Sequence, residues 1–585
     1  MKSILIILMT VLIVLQGCKN NEDTESLDNT LPEVSLVAKN INNYLRYMES
    51  LGFSGAIVVN HKGEKILSEG YGFADRKNKI RFTPQTVQSN GSNTKQFTGA
   101  SILLLESQNK LSVNDSLPVY FDNIPKDKQQ ITLHQLLTHS SGLIQGVGDD
   151  KEPMEFETFF NKLMSEPLRF EPGNAYNYSN AGYSILGRIV EKVSGKNYES
   201  FLKEFLLEPL GMNKTGYILP KWESEEMAIG YEKGKQWGKV YKRGWIDDGP
   251  NWHLRANGGL HTTAEDMHKW LQNVKGNGVL NSEAVEKWTT GYITEDNSYS
   301  KYGYGLVSYV DDKWGKVISH SGSNGIFTSH FFWLPNSDFF FYIHGNTSIF
   351  PTYKLEYDIL RAGFDKTFNF PPVIKTYSPD NKTILERKEG VYKSKIGTIE
   401  LMTDGPRLIA KFSGQKTLDL MFNYNDEQKE KVSKLNATAK KIMKKLENGD
   451  EDAFERIRTE KSDSKSVTQS FLNRIINMRR NLESLNVIGT FENSPGSQFY
   501  EYGAYTTFVH ARFENWNQYW NLIWKEDGTY SGMSGGPWPE LTLVPVGKNQ
   551  YKGLRGTQPW ITVDVKYDND CLIIENEKFC FLPTE

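Results

Sequence analysis

The sequence predicts an α/β (α+β) chain. One large domain has an antiparallel sheet assembled from both its ends and flanked by helices; a mostly-β C-terminal domain carrying an inserted α+β unit follows it. Three observations lead there. Strand-like runs fill 55–73 and return only after residue 300, with helical patterning between them. The chain has 585 residues, 38% of them hydrophobic and 12% aromatic, which exceeds the roughly 250–300 residues at which single cores stop growing. Beyond residue 384 short strands and turns dominate.

Taken in order, Lys2 and the apolar run Ile4 to Val14 read as an export signal. That run is shorter than the roughly 20 residues a spanning helix needs, so cleavage is the expectation. Leu15-Gln16-Gly17-Cys18 resembles a bacterial lipobox, which implies a signal peptide over 1–18 and a lipidated Cys18; Gln16 departs from the residue usual there. Residues 19–38 read as a polar tether. "GAIVVNHKGEKILSEGYGF" is a hairpin turning at Asn60 to Gly63. A helix is expected from Ser92, and four consecutive apolar residues, Ile102 to Leu105, make it central and buried. Residues 110–300 read as mostly helical, with Thr262 and Glu265 as a capping box. "YGYGLVSYV", "WGKVISHSG", "IFTSHFFWL" and "DFFFYIHGN" are strands, closing a domain over 39–370.

The last third divides differently. Residues 384–427 and 536–585 read as β-rich pieces around an insertion at 428–535. Within it Val467, Phe471, Ile475, Met478, Leu482 and Leu485 share one helical face, and "YTTFVHARF" alternates as a half-buried strand. Trp516, Trp520, Trp524 and Trp538 are read as core rather than as a ligand pocket. Cys571 and Cys580 flank "LIIENEKF", whose midpoint falls between Glu575 and Asn576, so a tight hairpin sets them opposite each other. A disulfide is expected in an exported chain; two buried thiols are the alternative.

Several chemistries are set aside. Lys+Arg 68 against Asp+Glu 71 leaves a net charge of -3, without the basic block that tracks a phosphate backbone, so nucleic acid is not an expected partner. There is no H-E-x-x-H, no Walker loop and no cysteine cluster, so neither metal nor cofactor is expected. "GMSGG" at 532–536 matches a nucleophile elbow, but Pro537 and Pro539 exclude the helix that must follow one.

Ser92 and Lys95 stand in an S-x-x-K spacing that Ser107/Lys110, Ser200/Lys203 and Ser462/Lys465 also satisfy. The spacing alone does not distinguish a nucleophile and base from a polar turn. On a helix, however, the two share a face, and a serine at a helix start lies near backbone N–H groups that stabilise an oxyanion. Such a lysine serves as a base only if its pKa is lowered. Tyr178-Ser179-Asn180 before an apolar helix, and His320-Ser321-Gly322 at a strand end, would complete the site. His139 in "LLTHSSGL" is read as tying down backbone.

In this order, "GSNTKQFTGASILLLESQNKLSVNDSL", "ITLHQLLTHSSGL", "EPGNAYNYSNAGYSILGRIVEKVSG", "FLLEPLGM", "ANGGLHTTAEDMHKW" and "SHSGSNGIF" resemble signature stretches of the serine β-lactamase and penicillin-binding-protein-like hydrolases, nearest the class C and D-peptidase or esterase branch. The resemblance implies that Ser92 is the acylated nucleophile, Lys95 its proton-accepting neighbour and Tyr178 a second acid/base. Asn180 would bind the substrate amide, and the N–H groups of Ser92 and of Ser323, beyond Gly322, would form the oxyanion hole. Whether Lys95 or Tyr178 takes the first proton stays open. His320 stands where the β-lactamases of this group carry a lysine. An unperturbed histidine is mostly neutral at pH 7, which argues against an efficient β-lactamase, although it can still donate one hydrogen bond to substrate. The C-terminal pieces resemble a lipocalin-like barrel, and the insertion is similar in outline to NTF2-like domains.

The expected activity is thus serine hydrolysis of amide or ester bonds in D-amino-acid peptides or related envelope substrates, by an exported lipoprotein held to a membrane by its lipid. The alternative is a catalytically weak lipoprotein that binds penicillin or peptidoglycan fragments.

Overall fold

The computed structural model describes residues 33–582, apart from 151, 233–234, 296–298, 348–349, 369, 371–387, 405–406, 423, 449–481, 494–502, 515, 536–539, 555–561 and 575–576. The signal peptide, Cys18 and Trp538 lie outside the described residues, as do Val467, Phe471, Ile475 and Met478.

The first element is α1 (Val34–Leu51). Val37, Ile41, Tyr44, Leu45 and Met48 form its buried stripe at helical spacing, and Gly52 ends it in the left-handed region at φ 106°. The tether expected over 19–38 therefore overreached: residues 34–38 are already helix, because Val37 begins the apolar face.

β1 (Gly55–His61) and β2 (Glu64–Tyr71) form the expected hairpin. Lys62 and Gly63 turn it at φ 51° and 84°, the two left-handed residues that a tight right-twisted hairpin requires. Short strands follow in pairs: β3 (Phe73–Asp75) with β4 (Ile80–Arg81), β5 (Gln88–Ser89) with β8 (His261–Thr262), and β6 (Gly230–Glu232) with β7 (Lys235–Gly238). The helical stretch comprises α2 (Thr94–Ser107), α3 (Leu133–Leu137), α4 (Phe156–Ser165), α5 (Asn180–Ser194), α6 (Tyr198–Leu202), α7 (Ala264–Val274) and α8 (Ser282–Trp288). The strands then resume as β9 (Ile293–Thr294), β10 (Lys301–Tyr302), β11 (Val307–Asp311), β12 (Gly315–Ser323), β13 (Thr328–Leu334) and β14 (Phe339–Gly345), followed by α9 (Glu356–Phe364).

One antiparallel sheet results, in the order β2-β1-β14-β13-β12-β11-β10-β9. Its closure from both ends of the domain is the β1–β14 pairing, in which Ile57 faces Ile343. Alternate residues serve two cores. Ala56, Val58, Phe331, Phe340 and Tyr342 pack toward the buried α2, whereas Ile57, Val59, Phe332, Phe341 and Ile343 pack with α1 and α9.

The capping box expected at Thr262 and Glu265 does not form; a simple cap sits one residue later. Thr262 belongs to β8, and Thr263 caps α7 by accepting the Asp266 N–H at 3.0 Å. Glu265 instead accepts from Lys65 Nζ at 2.8 Å and Ser68 Oγ at 2.5 Å.

The C-terminal third contains a closed barrel of β15 (Gly390–Ser394), β16 (Gly397–Asp404), β17 (Arg407–Ser413), β22 (Glu540–Gly547), β23 (Gln550–Leu554), β24 (Thr562–Asp568), β25 (Cys571–Ile574) and β26 (Glu577–Phe581). Between β17 and β22 lie helices Gln415–Phe422 and Asp426–Glu447. A four-stranded sheet follows them, formed by β18 (Leu482–Glu492), β19 (Tyr505–Phe513), β20 (Trp516–Trp524) and β21 (Tyr530–Gly535). The first barrel segment thus ends at Ser413, earlier than the expected 427, because the chain turns into a helix at Gln415. Leu482 and Leu485, expected on a helical face, open β18 instead, since their strand pairs with β19 and covers helix Asp426–Glu447. Trp520 and Trp524 are core, each 1% exposed. Cys571 and Cys580 are cross-strand partners joined by a disulfide.

Candidate active site

The turn before α2 is pinned to the sheet. Asn90 N–H donates to the Leu260 carbonyl at 2.7 Å, the Asn90 carbonyl accepts from Ser329 Oγ at 2.8 Å, and Asn90 Oδ1 accepts from the Tyr342 hydroxyl at 2.7 Å. Two glycines let this turn touch β12. A Cβ on Gly91, whose φ is +51°, would meet Ser323 N at 2.5 Å, and one on Gly322 would meet the Asn90 carbonyl at 2.1 Å. Ser92, in the 3-10 turn Gly91–Asn93, is thereby set beside the backbone of Ser323 and left half-buried. Its side chain caps no helix N–H.

Lys95, one turn into α2, is fully buried. Its Nζ lies 3.2 Å from Ser92 Oγ, 2.7 Å from Asn180 Oδ1 and 2.8 Å from the Asn257 carbonyl. Burial pushes its pKa well below the ordinary lysine value, against the opposing charge of Asp150. The consequence is geometric. Amide oxygens only accept, so a neutral amine spends both its N–H groups on Asn180 and Asn257. Its lone pair is then left facing the Ser92 hydroxyl.

Tyr178 and Asn180 are set by the start of α5. Ser179 Oγ accepts the Gly182 N–H at 3.1 Å and donates to the Ile144 carbonyl, and the Ser179 N–H donates to His139 Nδ1 at 3.0 Å. His139 itself sits at φ 59°. It does what the sequence suggested, tying down backbone, and its ring also packs on Tyr178 at 4.2 Å between centroids and on Tyr302 at 4.4 Å. Lys95 Nζ lies 4.8 Å from the Tyr178 ring centroid. Burial holds the Tyr178 phenol above its ordinary range, the Ser92 hydroxyl pulls it down, and Glu295 raises it further.

His320 differs from its expected role. Nδ1 donates to the Ser321 carbonyl at 2.8 Å, which fixes the neutral tautomer, and Nε2 accepts from the Tyr302 hydroxyl at 2.8 Å. Burial first, then the Lys95 charge, pushes its pKa down to about 3. With both nitrogens committed, it has no hydrogen bond to donate to substrate. Beyond Ser319, β12 pairs with β13 but no longer with β11, so among the described residues the stretch His320 to Ser323 has no strand on its second edge.

The structure thus brings together Ser92, Lys95, Tyr178, Asn180, His320, Gly322 and Ser323. The Asn257 carbonyl, Tyr302 and Glu295 were not assigned from sequence. Asn257 stood inside a quoted stretch, "ANGGLHTTAEDM", but nothing marks a backbone carbonyl as functional. Among the described residues, no group of three or more His, Cys, Asp or Glu is placed to hold a metal, and no helix is long and apolar enough to cross a membrane.

Residues 42–362, more than half of the chain, match the Beta-lactamase family. The chain belongs to this family. Over residues 42–362 its fold is that of the β-lactamase family. PbpX of Bacillus subtilis (strain 168), a chain named for penicillin binding, is 30% identical to this β-lactamase family member over 272 residues, which are 45% of this chain and 67% of that one. Protein flp of Staphylococcus aureus is 27% identical over 297 residues, 48% of this chain and 57% of flp. A penicillin-binding protein from Bacillus halodurans matches with 26% identity and a TM-score of 0.45, over 55% of this chain and 98% of that one. The octameric penicillin-binding protein homologue from Pyrococcus abyssi matches with 21% identity and a TM-score of 0.49, over 93% of this chain and 99% of that one.

Proposed function

We propose that this protein is a serine hydrolase that acts through an acyl-enzyme on amide or ester bonds, with D-amino-acid peptides or related envelope esters as its substrate class. The observation that carries the reading is the three-partner set of Lys95, which leaves an amine lone pair for Ser92 Oγ. Ser92 Oγ attacks the acyl carbon as its proton passes to Lys95. The N–H groups of Ser92 and Ser323 receive the oxyanion. Tyr178, whose phenol stays protonated near neutral pH, gives its proton to the departing nitrogen or oxygen as that bond to the acyl carbon breaks. Asn180, its oxygen tied to Lys95, keeps its amide N–H groups for a substrate carbonyl, and the free edge of β12 suits an extended peptide. Water then releases the acyl group.

The test is labelling of the purified protein with a fluorophosphonate and, separately, with a fluorescent penicillin, the adduct being located by peptide mass spectrometry. An adduct on Ser92 that Lys95→Ala abolishes supports the reading; an intact Ser92 with both probes rejects it.

The lipobox-like segment supports a second part of the proposal, that the protein is an exported lipoprotein anchored through Cys18. Palmitate incorporation into the expressed chain, lost in Cys18→Ala, is the expected result; equal incorporation by both would rule out that anchor.

A further inference from the structure

We propose that Glu295 sets the leaving-group specificity of the Ser92 site, favouring substrates whose departing group is uncharged or cationic over those ending in a free carboxylate. The inference rests on the acyl-enzyme reading above. Glu295 follows β9 and is half-buried. Its own N–H donates to the Ser300 carbonyl at 3.0 Å, Oε2 accepts from Ser300 Oγ at 2.5 Å, and Oε1 accepts from the Tyr176 hydroxyl at 3.2 Å. Tyr176 precedes Tyr178 by two residues, and both rings pack on Tyr302, at 6.0 and 6.1 Å between centroids. The carboxylate therefore sits on the Tyr178 side of the site, where its charge bears on the phenols of Tyr176, Tyr178 and Tyr302 alike.

On the acyl-enzyme reading, in which Tyr178 protonates the departing group, that side is also where the leaving group departs. When the Ser92 Oγ–acyl bond forms and the acyl C–N bond breaks, the nitrogen takes the Tyr178 proton and leaves toward Tyr176 and Tyr302. The groups gathered there, Tyr176, Tyr302 and the doubly committed His320, are neutral. Lys95 has its N–H groups tied up, and Lys301, beside Tyr302 on β10, is exposed on the opposite face of its strand. With Lys95 neutral, a carboxylate arriving at this place meets the Glu295 charge with no cation among the described residues gathered there to offset it. An amide, an alcohol or an amine does not.

The experiment compares two substrates with one acyl part, N-acetyl-D-alanyl-D-alanine and N-acetyl-D-alanyl-D-alaninamide, on the full chain. At low salt kcat/KM for the capped substrate is expected to be roughly tenfold higher or more, with the ratio shrinking as salt is added. Glu295→Gln, which removes the charge and keeps one acceptor oxygen for either Tyr176 or Ser300, brings the ratio toward one mainly by lowering KM for the free acid. Tyr176→Phe, which removes a hydrogen bond but no charge, preserves it. A wild-type ratio near one, a ratio unchanged by Glu295→Gln, or failure of both peptides even to slow fluorophosphonate labelling of Ser92 overturns the inference while the acyl-enzyme reading stands. Absence of any Ser92 adduct removes that reading, and this inference with it.

Discussion

His320 Nε2 lies 2.8 Å from the Tyr302 hydroxyl, and that contact makes the histidine a brace within the site rather than a hand extended to substrate. Truncation by His320→Ala removes one partner of the Tyr302 hydroxyl, which keeps Tyr183 as another, so a loss of about 1 kcal/mol of stability is expected. Urea unfolding should show this loss, while labelling of Ser92 at a permissive temperature falls less than threefold. Undiminished stability with abolished labelling would show instead that His320 touches the reacting group.

The role of Lys95 is read in pH. Its neutral form is the base, so the Ser92 labelling rate falls as pH drops through the depressed pKa of Lys95 and levels off above it. Lys95→Arg keeps the cation but cannot shed a proton, and is expected to label at least about 100-fold more slowly at every pH tested. A variant as fast as wild type would assign the first proton transfer to Tyr178.

Gly91 joins left-handed backbone to a close approach, so Gly91→Ala both strains the turn and pushes Ser323 away. The expected result is a fall in labelling of roughly tenfold or more, with a far-UV spectrum like wild type. Normal labelling would mean that the turn and β12 need not touch for acylation.

Acid stability follows from buried histidines. Burial pushes His320 and His344 down to about 3 and His261 to about 4. A histidine protonated less readily when folded contributes stability that is complete above the unfolded value of about 6.5. That stability drains away as pH falls from there toward the folded value, at about 1.4 kcal/mol per unit for each group. Asp358, pushed up to about 6 mainly by burial, works the other way and offsets about 1 kcal/mol by pH 5.5. These four groups alone give a loss of roughly 3 kcal/mol between pH 7.5 and 5.5, and His139, which burial also holds well below its ordinary value, adds to it, so urea titrations are expected to show at least that loss. A flat profile would contradict neutral burial of these imidazoles.

The sequence carried the sheet and the site unevenly, for physical reasons. β1, β12, β13 and β14 were legible because their apolar residues run or alternate with a period the two-sided sheet demands, and Lys62-Gly63 marks its own turn. Ser92, Lys95, Tyr178 and Asn180 were legible through the ordered stretches that resemble a known family, since their spacing alone, shared with pairs such as Ser107/Lys110, does not single them out. Asn257, Tyr302 and Glu295 were not, since they enter the site through contacts between segments remote in sequence, and one of them only through its carbonyl. The capping residue of α7 was missed by one position because Thr262 and Thr263 are chemically equivalent until the β5–β8 pairing claims the first. Leu482 and Leu485 fit a helical spacing as well as a strand with an irregular register, and β18 has two such irregularities, between Leu482 and Ser484 and between Val487 and Gly489.

The barrel strands β17 and β22 pair Ala410 with Leu541 across the whole inserted unit. As a free chain, a loop of that length must be drawn together before any ladder bond rewards it. The insertion changes the order of events. Its Leu418, Val432, Val509 and Trp520 share one apolar cluster with Leu408 and Leu543 of the barrel. A collapsed insertion would bring Lys411 and Glu540, which pair in the barrel, together as the ends of a short, folded bridge. The expected consequence is a barrel that closes late: substitutions that weaken the insertion should slow refolding of the barrel, and barrel recovery at the wild-type rate would contradict it.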